Sequence, residues 1–198
     1  MKNLFRALCA TAMLSAGTVP AFAGAYEDAM DRFLITELMY RYAIAHNTGD
    51  VKGYADLFTD DAKLYDQTMS YMFAEGREGI LKQAQNDREK YLKESSPAKK
   101  GQLRLTKLRH NITNPVVTLS QDGKTATGVC YVQMVAEDPG VGPAMLAQGY
   151  YVDEYVKKDG KWLISRRDLS AVEISNWELA KRLGLVNGPL PTEKKAGG

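Results

Sequence analysis

The sequence predicts an α+β fold in which N-terminal helices pack on a cone-shaped, curved antiparallel sheet, an α+β barrel. Residues 28–46 place apolar side chains, Phe33 among them, at three- and four-residue spacing and put Asp31 on the opposite, polar side, which is typical of an amphipathic helix. Residues 103–169 change to long extended stretches joined by two Asp-Gly turns, at 121–124 and 158–161. Helices followed by such a meander make an α+β domain. The open end of such a cone is expected to form a pocket.

The first 23 residues have the features of a secretory signal peptide. Lys2 and Arg6 form a basic start, residues 7–19 are mostly apolar, and Ala21-Phe-Ala23 is a small-x-small cleavage signal before Gly24. The apolar segment is too short to span a bilayer as an anchor. We therefore expect a mature protein that is periplasmic or secreted and has no membrane contact after cleavage.

Cleavage would also change the charge and the cysteine count. Removing Lys2 and Arg6 from the 26 basic residues leaves 24, which equals the 24 acidic residues. A neutral chain argues against nucleic acid as a partner and against electrostatic membrane binding. Cys9 would leave as well, so Cys130 would stay without an intramolecular disulfide partner. Stability is then expected to come from a hydrophobic core, for which about 175 residues suffice.

The remaining elements follow from turn and capping residues. Gly49 ends the first helix, and Asp50 caps a short second one. Pro115 must kink its strand or lie at an edge or bulge. The other predicted segments are short strands at 62–65 and 70–74, a helix at 78–92, a polar loop at 93–101, strands at 103–119, 125–136, 144–157 and 162–169, and a closing helix at 175–183 with Trp177 on its inner side. One domain, residues 24–187, would be followed by a disordered tail, 188–198.

A strand that is polar on both faces contains one of the two histidines. In the run from Leu108 to Val116, strand alternation places His110, Ile112 and Asn114 on one face. Imidazole titrates near neutrality, so a histidine and an amide aimed at one cavity suit proton transfer. The alternative is a histidine that only hydrogen-bonds across the sheet.

The chain resembles the SnoaL-like group of the nuclear-transport-factor-2-like superfamily. The resemblance rests on the stretch from Glu37 to Ala43, on Thr48-Gly-Asp50, on residues 55–62, on His110-Asn-Ile-Thr-Asn114, and on Gly160-Lys-Trp162. It covers residues 31–169, nearly all of the mature chain. The group includes polyketide cyclases, scytalone dehydratase, bile-acid dehydratases and ketosteroid isomerases. The resemblance implies a cone-shaped fold, but such a fold hosts many chemistries.

The resemblance implies only part of the usual catalytic set. Tyr42 and His110 match the tyrosine and histidine of the dehydratases, whereas Asn47 stands at the usual catalytic aspartate and Met134 at a second acid. An amide cannot accept a proton at neutral pH. His46 at the helix end could share the proton work, or it could be a partly exposed helix-ending histidine. Two histidines without a nearby acid make a poor metal site, so no metal is expected.

The sequence therefore predicts a cofactor-free lyase for a small hydroxylated aromatic or polycyclic substrate, which could be lignin-derived. The leaving fragment would be water or formaldehyde. The predicted catalytic residues are His110, Tyr42 and His46, and the predicted substrate-binding residues are Asn47, Asn114, Tyr54, Tyr131 and Met134. A double-bond isomerase and a non-catalytic periplasmic ligand-binding protein remain alternatives. A homodimer or homotrimer is expected.

Export is testable by locating the protein and its N-terminus. We expect a periplasmic or extracellular product that begins at Gly24, because the cleavage signal precedes that residue. Immunoblots of cell fractions and N-terminal sequencing measure both properties. An uncleaved cytoplasmic product contradicts the prediction.

Overall fold

Within the residues that the structure describes, four helices and one six-stranded sheet build the fold. The computed structural model describes residues 19–66, 71–91, 107–138, 140 and 142–185. The predicted tail, the predicted polar loop and residues 1–18 of the predicted signal peptide lie outside these residues. The elements are α1 (Val19–Thr48), α2 (Val51–Ala55), β1 (Phe58–Asp66), β2 (Tyr71–Glu75), α3 (Gly76–Tyr91), β3 (Leu108–Leu119), β4 (Thr125–Asp138), β5 (Gly142–Lys158), β6 (Lys161–Ile174) and α4 (Trp177–Arg182).

The sheet is curved and unclosed, which confirms the predicted α+β class. Its strand order is β2-β1-β6-β5-β4-β3, so β2 and β3 form its two edges. The strands from β3 to β6 form the predicted antiparallel meander. β1 differs from the prediction because it pairs parallel to β6. Such a pairing joins segments about a hundred residues apart in the chain, and local sequence patterns do not report it.

α1 covers the inner face of the sheet and begins earlier than predicted. It starts at Val19, so its backbone runs through the predicted cleavage site, and cleavage stays a prediction. Ile35 and Met39 are fully buried against the sheet, whereas Phe33, predicted on the inner side, is 62% exposed. Asp31, predicted on the polar side, is buried and accepts a hydrogen bond from Trp162 Nε1 at 2.9 Å. The inner face of α1 is therefore rotated from the predicted one.

A glycine lets α1 approach the sheet closely. A Cβ at Gly128 of β4 would lie 2.8 Å from Cε of Met39 and 3.0 Å from the ring of Tyr155. A larger residue at this position would require the Met39 side chain or the Tyr155 ring to shift.

A second apolar cluster holds α4 on the sheet. Leu179 and Ala180 of α4 pack with Tyr91, Leu108 and the neighbouring strand residues. Trp177 is 40% exposed, so the predicted inner position of this residue is wrong. The helix begins at Trp177 itself, and its buried side starts two residues later. Among the described residues, no helix is long and apolar enough to cross a membrane.

A buried ion pair lies between two neighbouring strands of the sheet. The Arg167 guanidinium donates from Nε and Nη2 to the Asp153 carboxylate at 2.8 and 2.6 Å, and both side chains are fully buried. The Tyr155 hydroxyl donates to the same carboxylate at 2.6 Å. Burial opposes the charge on Arg167, but Asp153 outweighs burial and holds the pKa of the guanidinium well above its usual value.

Breaking this pair is expected to destabilise the fold strongly. Asp153→Ala leaves a buried guanidinium without its counter-charge, and we expect the free energy of unfolding to fall by about 3–5 kcal/mol. The adjacent Glu154–Arg166 pair is 52% and 40% exposed, so Glu154→Ala is a matched control. Loss of an exposed pair costs less than about 1 kcal/mol. Urea denaturation of both variants measures the difference, and equal losses contradict the prediction.

Candidate active site

Two histidines and three tyrosines form one buried group between α1, α2 and the sheet. We call Tyr42, His46, Tyr54, His110 and Tyr151 the histidine–tyrosine group. The rings of His46 and His110 have centroids 4.0 Å apart, and the ring of Tyr42 lies 6.2 Å from His110 and 6.3 Å from His46. The Tyr54 hydroxyl donates to the Tyr42 hydroxyl at 3.5 Å. The three residues predicted to be catalytic therefore lie together.

Local geometry explains how each element contributes to the group. Tyr42 and His46 lie four residues apart on α1, so they share one helix face. His110 lies on the buried side of β3, opposite Met134 of β4. Met134 is partly buried and packs against the core, which places it beside the group, as the sequence predicted.

Asn47 binds the backbone of His110. Its Nδ2 donates to the His110 carbonyl at 3.0 Å, and its Oδ1 accepts from the His110 N–H at 2.7 Å. β3 is an edge strand, so these backbone groups have no neighbouring strand to pair with. The predicted substrate-binding amide thus completes the edge of the sheet and fixes the position of the catalytic candidate.

A carboxylate that the sequence did not predict, that of Asp87, contacts the histidine–tyrosine group. Asp87 of α3 has Oδ2 3.3 Å from Nε2 of His46, with side-chain exposures of 23% and 7%. Gln83 donates from Nε2 to Asp87 at 3.2 Å and orients it. A signal was present, because Asp87 follows Ala84 on the buried stripe of α3. A carboxylate on the apolar stripe of a helix indicates a partner across the interface.

Burial controls the protonation of the group. His110 is 5% exposed, and burial, followed by the charges of His46 and Arg167, holds the pKa of its imidazole well below the usual 6.5. His110 is therefore neutral at pH 7 and can accept a proton. Burial, followed by the neighbouring Tyr42, raises the pKa of Tyr54 well above its usual value, so Tyr54 stays a neutral phenol.

Several polar atoms here lack hydrogen-bond partners in the described part of the chain. They include Nδ1 of His46 and Nδ1 of His110. An unpaired buried polar group costs about 1–3 kcal/mol, so such groups are rare without a functional reason. The two imidazole nitrogens are therefore candidates for binding a polar group of another molecule.

The interior around the group is closely packed. Tyr42, Tyr54 and His110 are at most 5% exposed, and the cavity beside His46, which Tyr54 and Asp87 also line, has a volume of about 10 Å³. That volume holds about one water molecule. At this group, the described residues thus leave no room for the substrate-sized pocket expected from the sequence. A substrate can reach His110 only if side chains move.

Two predicted substrate-binding residues lie elsewhere. Tyr131 lies on the outer face of β4, where its hydroxyl donates to Gln148 at 2.8 Å and its ring packs on Tyr150. Asn114 is exposed with φ 51°, at the irregularity where β3 shifts register before Val116. This bulge ends the alternation that predicted an inward Asn114. The structure corrects both placements.

Metal binding finds no support in the side-chain positions. Within the ranges that the structure describes, no three His, Cys, Asp or Glu side chains form a cluster able to hold a metal ion. The histidine–tyrosine group and Asp87 themselves supply imidazole, phenol and carboxylate groups.

The depressed pKa of His110 predicts a pH-dependent stability. Below pH 6.5 the unfolded chain binds a proton at this position and the folded protein does not. The free energy of unfolding should therefore fall as pH falls through 6.5, by up to about 1.4 kcal/mol per unit from this residue. Denaturation of wild type and His110→Asn from pH 5 to 8 measures the contribution as the difference in slope. Parallel curves contradict the prediction.

Comparison with solved structures places the fold among known ones. An NTF2-like protein with a cystatin-like fold from Novosphingobium aromaticivorans is 20% identical, with a TM-score of 0.60, covering 87% of this chain and 99% of that one. A scytalone dehydratase-like protein from the same organism is 18% identical, with a TM-score of 0.58 and coverage of 77% and 89%. A type 2 hexachlorocyclohexane dehydrochlorinase also shows 18% identity, a TM-score of 0.58, and coverage of 77% and 90%. These likenesses show the fold alone.

Comparison of sequences identifies the family. No curated protein sequence matches the chain significantly. The sequence profile of the SnoaL-like domain matches residues 27–168, which include most of α1, the histidine–tyrosine group and most of the sheet. The protein therefore belongs to the SnoaL-like domain family.

Proposed function

We propose that this protein is a cofactor-free lyase that acts on a small hydroxylated aromatic or polycyclic substrate. The observation that carries the proposal is the pair of imidazoles, His46 and His110, with ring centroids 4.0 Å apart beside the phenol of Tyr42. Membership of the SnoaL-like family supports an enzyme in general. The packed interior supports a substrate that is largely apolar, because it would contact tyrosine rings and the side chain of Met134.

In a dehydration, His110 acts as the base. Its neutral imidazole takes a proton from a substrate carbon, the electron pair of that C–H bond forms the new double bond, and the neighbouring C–O bond breaks. Tyr42 donates a hydrogen bond to the departing oxygen, which leaves as water after it receives a proton. The proton taken by His110 balances the one given to the leaving group, so no external acid or base is consumed.

A second variant of the same chemistry releases formaldehyde. His110 would take the proton of the terminal hydroxyl, and the oxygen would form the carbonyl of formaldehyde as the adjacent C–C bond breaks. The electron pair of that C–C bond would form a double bond to the neighbouring carbon, whose hydroxyl departs, helped by the electron push of a phenolic ring. The departing hydroxide would take the proton held by His110 and leave as water. Lignin-derived diaryl propanediols have the required groups. A base and a hydrogen-bond donor suffice for this reaction, and His110 and Tyr42 provide both.

Asp87 supports His46 in the proposed mechanism. At 3.3 Å from Nε2, its carboxylate orients the imidazole and balances its charge when His46 holds a proton. An isomerase would need a free carboxylate base instead, and Asp87 is engaged with His46. We further propose that the enzyme works in the periplasm or outside the cell, as the N-terminal sequence indicates.

Turnover of a substrate panel tests the proposal. Purified protein is incubated with hydroxylated aromatic compounds, including diaryl propanediols, while absorbance reports new double bonds and a colorimetric assay reports formaldehyde. With an active compound, His110→Ala should reduce the rate at least about a hundredfold, because general acid–base catalysis contributes that much or more. Tyr131→Phe, on the outer face of β4, is the control and should keep the wild-type rate.

Other outcomes separate the alternatives. An unchanged rate in a folded His110→Ala variant overturns the mechanism. Binding of the panel compounds without turnover identifies a ligand-binding protein. A product of unchanged mass with a shifted double bond identifies an isomerase.

A further inference from the structure

The outward side of α1 carries a row of exposed apolar side chains. Five of the large hydrophobic residues that the structure exposes lie on this helix, at 39–67% exposure. Together with Glu37 they recur at alternating four- and three-residue spacing, which is the heptad pattern of paired helices. We call these residues the outer stripe: Tyr26, Met30, Phe33, Glu37, Tyr40 and Ile44.

The described part of the chain does not cover the outer stripe. The opposite side of α1 already packs on the sheet through Ile35, Met39 and Tyr42. A helix that is apolar on two sides is normally buried on both. All six stripe residues follow the predicted cleavage site at Gly24, so the stripe remains in the mature chain.

We propose that the outer stripe pairs with the outer stripe of a second copy of this chain, antiparallel and related by a two-fold axis. The heptad spacing is self-complementary in this arrangement. Tyr26 faces the partner's Ile44, Met30 faces the partner's Tyr40, and Phe33 faces the partner's Glu37. Each contact then occurs twice, as a two-fold axis requires.

Charge selects the antiparallel arrangement over the parallel one. A parallel pair would place Glu37 against the partner's Glu37, which is repulsive. The antiparallel pair places Glu27 beside the partner's Arg41 at both ends of the contact. Arg41 is available for this interaction, because its side chain is 65% exposed and the only partner seen in the described residues is Glu37, four residues earlier.

A groove beside the stripe provides further space for the partner helix. It lies between α1 and the β5–β6 hairpin and has a volume of about 910 Å³. Leu34 and Leu38 of α1 and Trp162 and Leu163 of β6 form its apolar part. Leu34 lies close to the proposed two-fold axis, so the two Leu34 side chains would meet there.

Cysteine cross-linking tests the orientation directly. The mature chain, Gly24–Gly198, contains only Cys130, which is fully buried and does not interfere. Leu34→Cys should form a disulfide-linked dimer on mild oxidation. Tyr26→Cys alone should not, because the two positions would be about 27 Å apart at 1.5 Å per residue. A mixture of Tyr26→Cys and Ile44→Cys should cross-link. Cross-linking of Tyr26→Cys alone indicates parallel helices and overturns the proposal.

Mass measurements test whether the stripe holds the dimer. Light scattering should give a dimer for the mature wild type and a monomer for Phe33→Glu/Ile44→Lys, with unchanged circular dichroism because both residues are exposed. Val116→Glu/Val152→Lys, on the exposed outer face of the sheet, is the matched control and should remain dimeric. A monomeric or trimeric wild type, or a dimer lost only in the sheet-face variant, overturns the proposal. The outcome does not depend on whether the protein is an enzyme.

Discussion

A guanidinium buried between the strands of the sheet constrains the rest of the interior. Arg167 is tied to Asp153, and its Cζ lies 3.9 Å from the ring centroid of Tyr42 and 4.4 Å from that of Tyr151. Stacking of a planar cation on aromatic faces holds these rings in place. The same charge also disfavours protonation of His110. One ion pair therefore supports the fold and positions the phenols, and its guanidinium adds to the burial that lowers the pKa of His110.

The two imidazoles, Tyr42, Asn47 and Asp87 come from three segments that meet around His110. α1 brings Tyr42, His46 and Asn47, α3 brings Asp87, and β3 brings His110 itself. The carboxylate that related dehydratases would carry at the Asn47 position is absent here, and a carboxylate reaches His46 from α3 instead. Asn47 is free to bind the His110 backbone at the edge of the sheet. The Asn47 amide thus has a structural role at the sheet edge, and the Asp87 carboxylate has an electrostatic role beside His46.

α1 presents two distinct sides. Its inner side builds the histidine–tyrosine group, and its outer stripe is apolar and exposed. A partner packed on the stripe would restrict the motion of the helix that carries Tyr42 and His46. Because the described interior leaves room for about one water beside His46, access of a substrate depends on such motion. Dimer formation and substrate access to the histidine–tyrosine group would then be coupled through α1.

Local patterns determined the class, the order of the elements and the sides of α1 and β3 that hold Tyr42, His46 and His110. Periodicity, turns and caps report each segment by itself. The family resemblance selected Met134, and the pairing of β3 with β4 places it opposite His110. Only the tertiary structure decided that Asp87 meets His46, that Arg167 is buried with Asp153, and that β1 runs parallel to β6. The structure also places both Asn114 and Tyr131 away from the histidine–tyrosine group. A bulge in β3 turns Asn114 outward, and Tyr131 lies on the outer face of β4. These outcomes depend on contacts between distant segments, and no pattern within one segment contains that information.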